Sequence, residues 1–459
     1  MENLSRKEFI TKTAVIGVVA ATTGVASALT SCSGVADDDK TKYVPLSKAG
    51  EYYVPDLVDS KAPDGKELKV GIIGCGSRGG GACYNFMSSA NGVSIVAMAD
   101  IFPDRLENLR ARLKKDLDVN VADNKIYYGF DSYKTLIDDN PDIDLVIIAT
   151  PTVFHPEHAR YAIEKGKHVF CEKPSAVDPT GARLMMAAAK MAHSNGLCVV
   201  TGTQRHHDRA YVESYKKIRE GYIGKIVSGN VYWNQGGPWF KVRKKEWTDM
   251  EYMLRDFFSW NWLCGDHVLD QMIHNLDVFC WFSHLKPISV VGMGSRLQRS
   301  TGDIFDNFSL DYVFEGGIHV HAMARQIDDC ANKVGEFIQG TLGSWSSETM
   351  EIKDLDGNVV WAYDREAQKK FPQNDPYVLE HANLVKHIRA GVPICTIDGT
   401  VVSSLACIMG RESAYTGKEY TWDEILTSEL NLMPEKLHLG NTDMIKYKVP
   451  KAGKTNDIV

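Results

Sequence analysis

The sequence predicts an α/β protein whose N-terminal part is a doubly wound parallel sheet and whose C-terminal part mixes antiparallel strands with helices. Three observations predict it. Between residues 67 and 204, six apolar, β-branched runs alternate with helix-like stretches. The first of these runs ends in a glycine-rich turn, GCGSRGGG, that opens a helix. After about residue 205 the texture changes to aromatic and alternating runs, the pattern of half-buried strands. A chain of 459 residues exceeds what one ordinary core fills, so two domains are expected.

Taken in order, residues 1–32 read as an export signal. Arg6, Lys7 and Lys12 precede a small, apolar run over 14–29, the layout of a targeting segment. The stretch from Ser5 to Ile10, SRKEFI, resembles a twin-arginine signal with lysine in the second basic place, and Leu29-Thr30-Ser31-Cys32 resembles a lipobox. Those likenesses imply cleavage before Cys32, a lipid on its thiol, and an exported bacterial protein held on the periplasmic side of a membrane. Residues 33–66 are polar and read as a tether.

The strands of the first domain, 67–204, are ELKVGIIG, VSIVAMAD, NKIYYG, DLVIIAT, KHVFCEK and GLCVVTGTQ, with helices such as PDRLENLRARLKKDL and PTGARLMMAAAKMAHSNG between them. In the second domain, 205–430, KIVSGNVYWNQ, PISVVGMGSRLQ, NFSLDYVFEGGIHVHAMARQ and EFIQGTLGSW read as antiparallel strands. A single helix is expected near 269–282, and helices return in YVLEHANLVKHIRAG and TVVSSLACIMGRESAYTG. Residues 431–459 read as a C-terminal tail.

Composition narrows the function. An apolar fraction of 44% and a charged fraction of 24% are those of a soluble globular chain. A net charge of −7 and a pI near 6.1 provide no basic field for phosphate backbones, which argues against nucleic acid as a partner. The ten cysteines include no CxxC pair, so neither a zinc site nor a disulfide scaffold is expected, and no metal is assigned. Cys75, Cys171 and Cys198 lie in apolar runs and read as small buried hydrophobes.

The glycine turn carries the cofactor reading. Gly74-x-Gly76-x-x-Gly79 lies between a β-branched strand and a helix: the first glycine permits the tight turn, the second admits a pyrophosphate, and the third lets helix pack on strand. The helix start, with Ser77 and Arg78, presents free N–H groups to phosphate. Asp100 ends the second strand where an acid bonds a ribose 2′-hydroxyl and repels a 2′-phosphate, which favours NAD over NADP. Thr150, Pro151, His155, Glu172, Lys173 and Gln204, near the ends of later strands, complete the cofactor candidates.

Ligands in such sheets bind beyond the carboxyl ends of the strands. Lys173, in CEKP, stands there and can stabilise a developing alkoxide. Asp270 and His274 are four residues apart, a spacing that puts them on one face of a helix and makes His274 a candidate base oriented by Asp270. His267 lies near the same face, and spacing does not choose between the two histidines. Arg205, His206, Tyr232, Trp233, Asn234 and His267 are the candidates for holding a polyhydroxylated substrate. An ordinary structural role competes at each position: a loop lysine, a helical ion pair, core aromatics.

As a set, the fingerprint, Asp100, EKP at 172–174 and Asp270-x-x-x-His274 resemble the Gfo/Idh/MocA oxidoreductases, from about Lys69 to Glu424. The resemblance implies a Rossmann domain followed by an α+β domain built on a large, mostly antiparallel sheet used for oligomerisation, and so a homo-oligomer, a dimer or tetramer. It implies that Lys173, Asp270 and His274 are catalytic, and that the substrate is a sugar, polyol or derivative. The same superfamily contains NAD-dependent glycoside hydrolases, such as an α-N-acetylgalactosaminidase, which differ at the EKP position that is intact here. The expected function is therefore an exported dehydrogenase that oxidises a ring hydroxyl, at C3 of a sugar or glycoside, with NAD bound tightly enough to be carried through export. The rivals are a redox-neutral glycosidase and a sugar-binding lipoprotein with structural NAD.

Overall fold

The computed structural model describes residues 53–453, Pro238 excepted. The export signal, Cys32, the tether as far as residue 52, and residues 454–459 lie outside the described residues.

The first sheet is built from β1 (Leu68–Ile73), β2 (Val93–Asp100), β3 (Ile126–Tyr128), β4 (Leu145–Ile148), β5 (His168–Cys171) and β6 (Val199–Thr201). All pairings are parallel, in the order β3-β2-β1-β4-β5-β6. Helices α1 (Ser77–Ser89), α2 (Pro103–Leu117), α3 (Ser132–Asp138), α4 (His155–Glu164) and α5 (Pro179–Ser194) fill the crossovers. Every residue of β4 is buried, as a strand covered on both faces requires. Helix α2 shows why these segments are helical: Leu106, Leu109 and Leu113 bury one stripe, proline opens the helix, Asp104 lies in the first turn and Lys114 and Lys115 in the last. The strand order reverses between β1 and β4, and the crevice at that reversal is where doubly wound sheets take ligands.

The second sheet has nine strands. After α6 (Arg209–Arg219) come β7 (Ile226–Gln235), the helices α7 (Asp249–Arg255), α8 (His267–Asp270) and α9 (Ile273–Ser283), then β8 (Pro287–Ser295), β9 (Asn307–Phe314), β10 (Ile318–Gln326), β11 (Lys333–Gly340), β12 (Gly343–Ser346), β13 (Glu351–Asp354) and β14 (Val359–Ala362). Helices α10 (Pro376–Ala390) and α11 (Ile397–Thr416), strand β15 (Tyr420–Thr421) and α12 (Trp422–Thr427) follow, and single-turn helices lie at Asn261–Cys264 and Arg365–Gln368. The sheet runs β14-β13-β12-β11-β7-β10-β9-β8-β15, antiparallel throughout except at β7 and β10. Phe308, Leu310, Tyr312 and Phe314 alternate inward along β9.

All eleven residues of α9 are buried, because the helix is packed by β7, β11 and α11 together. Burying Leu276, Phe279 and Phe282 there contributes roughly 1.5–3 kcal/mol each. Helix α11 lies across β8 and reaches back to α5, so the last third of the chain joins the two sheets.

Two expectations change. Residues 53–66 do not run free as a tether: Arg389 donates to the carbonyls of Pro63 and Lys66, and the Tyr53 hydroxyl donates to Asn383. Residues 431–453 are not a free tail either, since Leu432 N–H donates to Asp178 and Gly440 accepts from Met250 N–H. Among the described residues no helix is long and apolar enough to cross a membrane.

Candidate active site

The turn after β1 is shaped by steric need. Gly74 has φ +95°, and a Cβ there would lie 2.6 Å from the Ala149 carbonyl at the end of β4. A Cβ on Gly79 would lie 1.8 Å from the Gly74 carbonyl oxygen, so α1 can approach β1 only without a side chain. A Cβ on Gly76 would meet nothing within 4 Å, which leaves open space above the turn. No side chain caps the start of α1, and its first amides remain available to an anion.

Asp100 stands at the end of β2 with its carboxylate accepting from Cys75 N–H at 2.7 Å and Phe102 N–H at 2.9 Å. Each oxygen therefore keeps one further lone pair for a hydroxyl. Burial pushes this carboxyl up, against the pull of Arg105 and the two amides. Arg78, on the first turn of α1, donates to Glu172 at 2.5 Å, lies 3.6 Å from fully buried Glu380 of α10, and stacks at 4.6 Å over Tyr377. Sequence reasoning misses Glu380 and Tyr377, because only the fold returns α10 to the start of α1.

His155, a cofactor candidate, ties two loops of the first sheet together. Its two ring nitrogens lie 2.8 Å from the carbonyls of Pro174 and Thr150, tying the loops after β4 and β5 together. Thr150 and Pro151 line the same reversal beside Gly74. Gln204 begins the turn after β6, with a buried side-chain oxygen that has no partner.

The chemistry-bearing residues lie after β5, on β7 and at the start of α9. Lys173 follows β5; its ammonium donates to the main-chain carbonyl of Asp270 and lies 3.9 Å from the Asp270 carboxylate. His274, on the first turn of α9, faces the Trp233 ring at a centroid distance of 5.5 Å. Burial, then the cations of Lys173, Arg205 and Arg78, hold its imidazole well below the usual histidine range, so it is neutral near pH 7.

The expected pairing of Asp270 with His274 is not made. The helix breaks between them: α8 ends at Asp270 and α9 starts at Ile273. In an unbroken helix the Asp270 carbonyl would accept from His274 N–H. Here Lys173 takes that carbonyl, and His274 N–H bonds to Gln271 instead. The Asp270 carboxylate accepts from the Gln271 side chain at 2.5 Å.

The carboxylate–histidine pair that does form is Asp277 with His206, at 2.6 Å, with Ser403 on the other carboxylate oxygen at 2.5 Å. His206 is thus packed into the interior, flat against Trp281. His267 is buried beside the Trp233 backbone, and burial followed by the Arg299 charge pulls it down to about 4. His274 is less deeply buried, and geometry favours it over His267.

Three substrate candidates lie next to one another on β7, and strand alternation separates them. Trp233 points to His274, whereas Tyr232 packs with His321 and Phe337 on the opposite face, and Asn234 shares Tyr232's parity. Tyr232 and Asn234 thus lie across the strand from Trp233 and His274, and the buried Asn234 side-chain oxygen has no partner. The Arg205 guanidinium lies 5.8 Å from the Trp233 ring and pairs with Glu336 of β11. Fully buried Glu336 also accepts from Asn275 at 2.6 Å and Tyr211 at 3.0 Å. Burial opposes the Arg205 charge, and Glu336 and Tyr211 more than offset it. An acidic residue at an inward position of a strand is the one sequence signal for Glu336.

The arrangement places a cation and a neutral imidazole beside an aromatic face, near the turn that fits a dinucleotide. Residues 68–208 match the oxidoreductase family described as having an NAD-binding Rossmann fold, and residues 211–346 match the GFO/IDH/MocA C-terminal domain. The chain is 39% identical over 135 residues to glycosyl hydrolase family 109 protein 1 of Bacteroides fragilis, a match covering 29% of this chain and 27% of that protein. It is thus matched over only about a quarter of that relative's length. It is 25% identical over 351 residues to the scyllo-inositol 2-dehydrogenase (NAD(+)) of Bacillus subtilis, covering 73% of this chain and 91% of that protein. The fold is similar to that of scyllo-inositol dehydrogenase from Lactobacillus casei, solved with NAD(H) and scyllo-inositol, at a TM-score of 0.59 and 20% identity over 78% of this chain and 99% of that one.

Proposed function

The chain belongs to the Gfo/Idh/MocA oxidoreductase family, and on that premise we propose that it is an NAD-dependent dehydrogenase oxidising a ring hydroxyl of a sugar, glycoside or cyclitol. The observation that carries the reading is that Lys173, just after β5, bonds the Asp270 carbonyl at the break before α9, whose first turn sets His274 against Trp233.

The residues fit a dinucleotide: open space over Gly76, uncapped amides at α1, and spare lone pairs on Asp100. When bound, NAD supplies the hydride acceptor. His274, neutral and less deeply buried than His267, takes the hydroxyl proton. Lys173 stabilises the oxygen as negative charge develops, and its bond to the Asp270 carbonyl fixes where its ammonium points. Trp233 offers an apolar face to the C–H side of a ring, and Arg205, held by Glu336, donates to hydroxyls at its rim.

NAD rather than NADP is proposed from Asp100. Asp100→Ala is expected to weaken NAD binding roughly 10–100-fold, the worth of 1.5–3 kcal/mol of charge-assisted hydrogen bonds, and to narrow the preference over NADP. Titration of both dinucleotides by nicotinamide fluorescence checks this, and an unchanged preference removes Asp100 from the role.

Export with the cofactor already bound is proposed from the N-terminal pattern, with Cys32 as lipid anchor on the periplasmic side. Cys32→Ser is expected to move the protein from the membrane to the soluble fraction on cell fractionation. Retention at the membrane would point to another anchor.

The glycosidase reading is favoured by one observation, the 39% identity to a family 109 glycosyl hydrolase over 135 residues. Incubation with inositols, aryl glycosides and 3-keto glycosides, followed by mass spectrometry with and without added NAD, separates the readings. A dehydrogenase gives keto products, a redox-neutral hydrolase gives free aglycone and sugar, and a binding protein gives neither.

A further inference from the structure

We propose that His193, Cys395 and Asp398 form a binding site for a borderline-soft divalent cation of the Zn²⁺ class, apart from the residues of the candidate active site. The imidazole nitrogen, thiol sulfur and carboxylate oxygen lie within 4.8 Å of one another. They come from three places that the fold brings together: the last turn of α5, the segment beside β6, and the first turn of α11.

The segment bearing the thiol is hydrogen-bonded to β6 on both sides of Cys395. Val199 N–H donates to the Ile394 carbonyl at 2.7 Å, Thr396 N–H donates to the Val199 carbonyl at 2.9 Å, and the Thr396 hydroxyl accepts from Thr201 N–H at 2.8 Å. Cys395 therefore holds a fixed position at the floor, while His193 and Asp398 stand at the solvent side, 2.8 Å apart. A cation can enter from solvent and replace that one contact with two metal bonds. The donor set of one nitrogen, one sulfur and one oxygen suits Zn²⁺, which takes such ligands tetrahedrally and accepts water as the fourth. The start of α11 favours negative ligands at Asp398. Bound there, the ion staples the end of α5 to the segment that edges β6. Cysteine spacing alone does not show the site, because His193 lies about two hundred residues before Cys395 and Asp398.

The test uses the full chain, stripped with a chelator and titrated with Zn²⁺ against a chromophoric competitor. One equivalent per chain is expected. His193→Ala and Cys395→Ser should each weaken it by at least about tenfold, the lower end of what disturbed metal sites lose. Zn²⁺ should also protect Cys395 from a thiol reagent, read by peptide mass spectrometry. His193 is exposed, so its variant keeps the test valid if Cys395→Ser fails to fold. Equal Zn²⁺ binding in the wild type and His193→Ala, or no protection of Cys395, overturns the proposal and leaves His193 and Asp398 a surface ion pair.

Discussion

Lys173→Ala and His274→Ala should each lower kcat by roughly 10²–10⁴-fold, the range for general acid–base groups. In the proposed mechanism the two residues act on one proton transfer: His274 receives the proton and Lys173 stabilises the oxygen it leaves. Their losses should not add in the double variant. His267→Ala should leave kcat within a few-fold, since its ring is buried more deeply than that of His274. The reverse outcome, with His267 essential and His274 dispensable, would reassign the base. The pH dependence carries a sign. His274 must be neutral to act, and burial with the Lys173 charge depresses its pKa. The acid limb of kcat/KM should therefore fall well below the ordinary histidine value of about 6.5, and activity should be lost only as pH drops through that depressed pKa. Removing Lys173 takes away one of the cations, so the residual activity of Lys173→Ala should show its acid limb displaced upward.

Gly79→Ala should abolish measurable NAD binding, a loss of more than about 100-fold for a helix displaced from its phosphate. A Cβ at this position would lie 1.8 Å from the Gly74 carbonyl oxygen, which is backbone and cannot rotate away. Either α1 withdraws from β1 or the turn at Gly74 opens, and Gly74, at φ +95° with Ala149 against it, has little room to adjust. Both responses move the free amides of α1 away from a bound pyrophosphate. Gly76→Ala is the contrast: it meets no protein atom, so any loss there reports ligand approach rather than folding. Equilibrium dialysis with NAD, alongside circular dichroism to verify that both variants fold, checks the pair. Unchanged binding in folded Gly79→Ala would remove this turn from the cofactor site.

The parallel sheet is legible in the sequence because its strands are continuous β-branched runs with a fingerprint at the right strand end, both local properties. The antiparallel sheet is legible from period-two alternation. The same rule, applied residue by residue along β7, puts Trp233 on one face and Tyr232 and Asn234 on the other by parity alone. The break between Asp270 and His274 is not legible. Helical spacing assumes an unbroken ladder of hydrogen bonds, and the bond that is missing is taken by Lys173, nearly a hundred residues away. Glu336 and Glu380 escape sequence reasoning for a related reason: each matters through an arginine brought to it by tertiary packing, Arg205 and Arg78. His155 and His206 are legible as histidines near the site, but their roles depend on which carbonyl or carboxylate holds each ring.

Hydride transfer from a ring carbon is the step on which the account rests, and a single-turnover label experiment tests it most directly. The NAD-loaded protein would be mixed with inositols and glycosides deuterated at the ring carbons, quenched, and the nicotinamide analysed by mass spectrometry. One deuterium per chain should appear in the nicotinamide of the wild type with at least one substrate, and none with Lys173→Ala over the same time. Products formed without any label in the cofactor, or no label across the panel while NAD stays bound, would contradict a dehydrogenase.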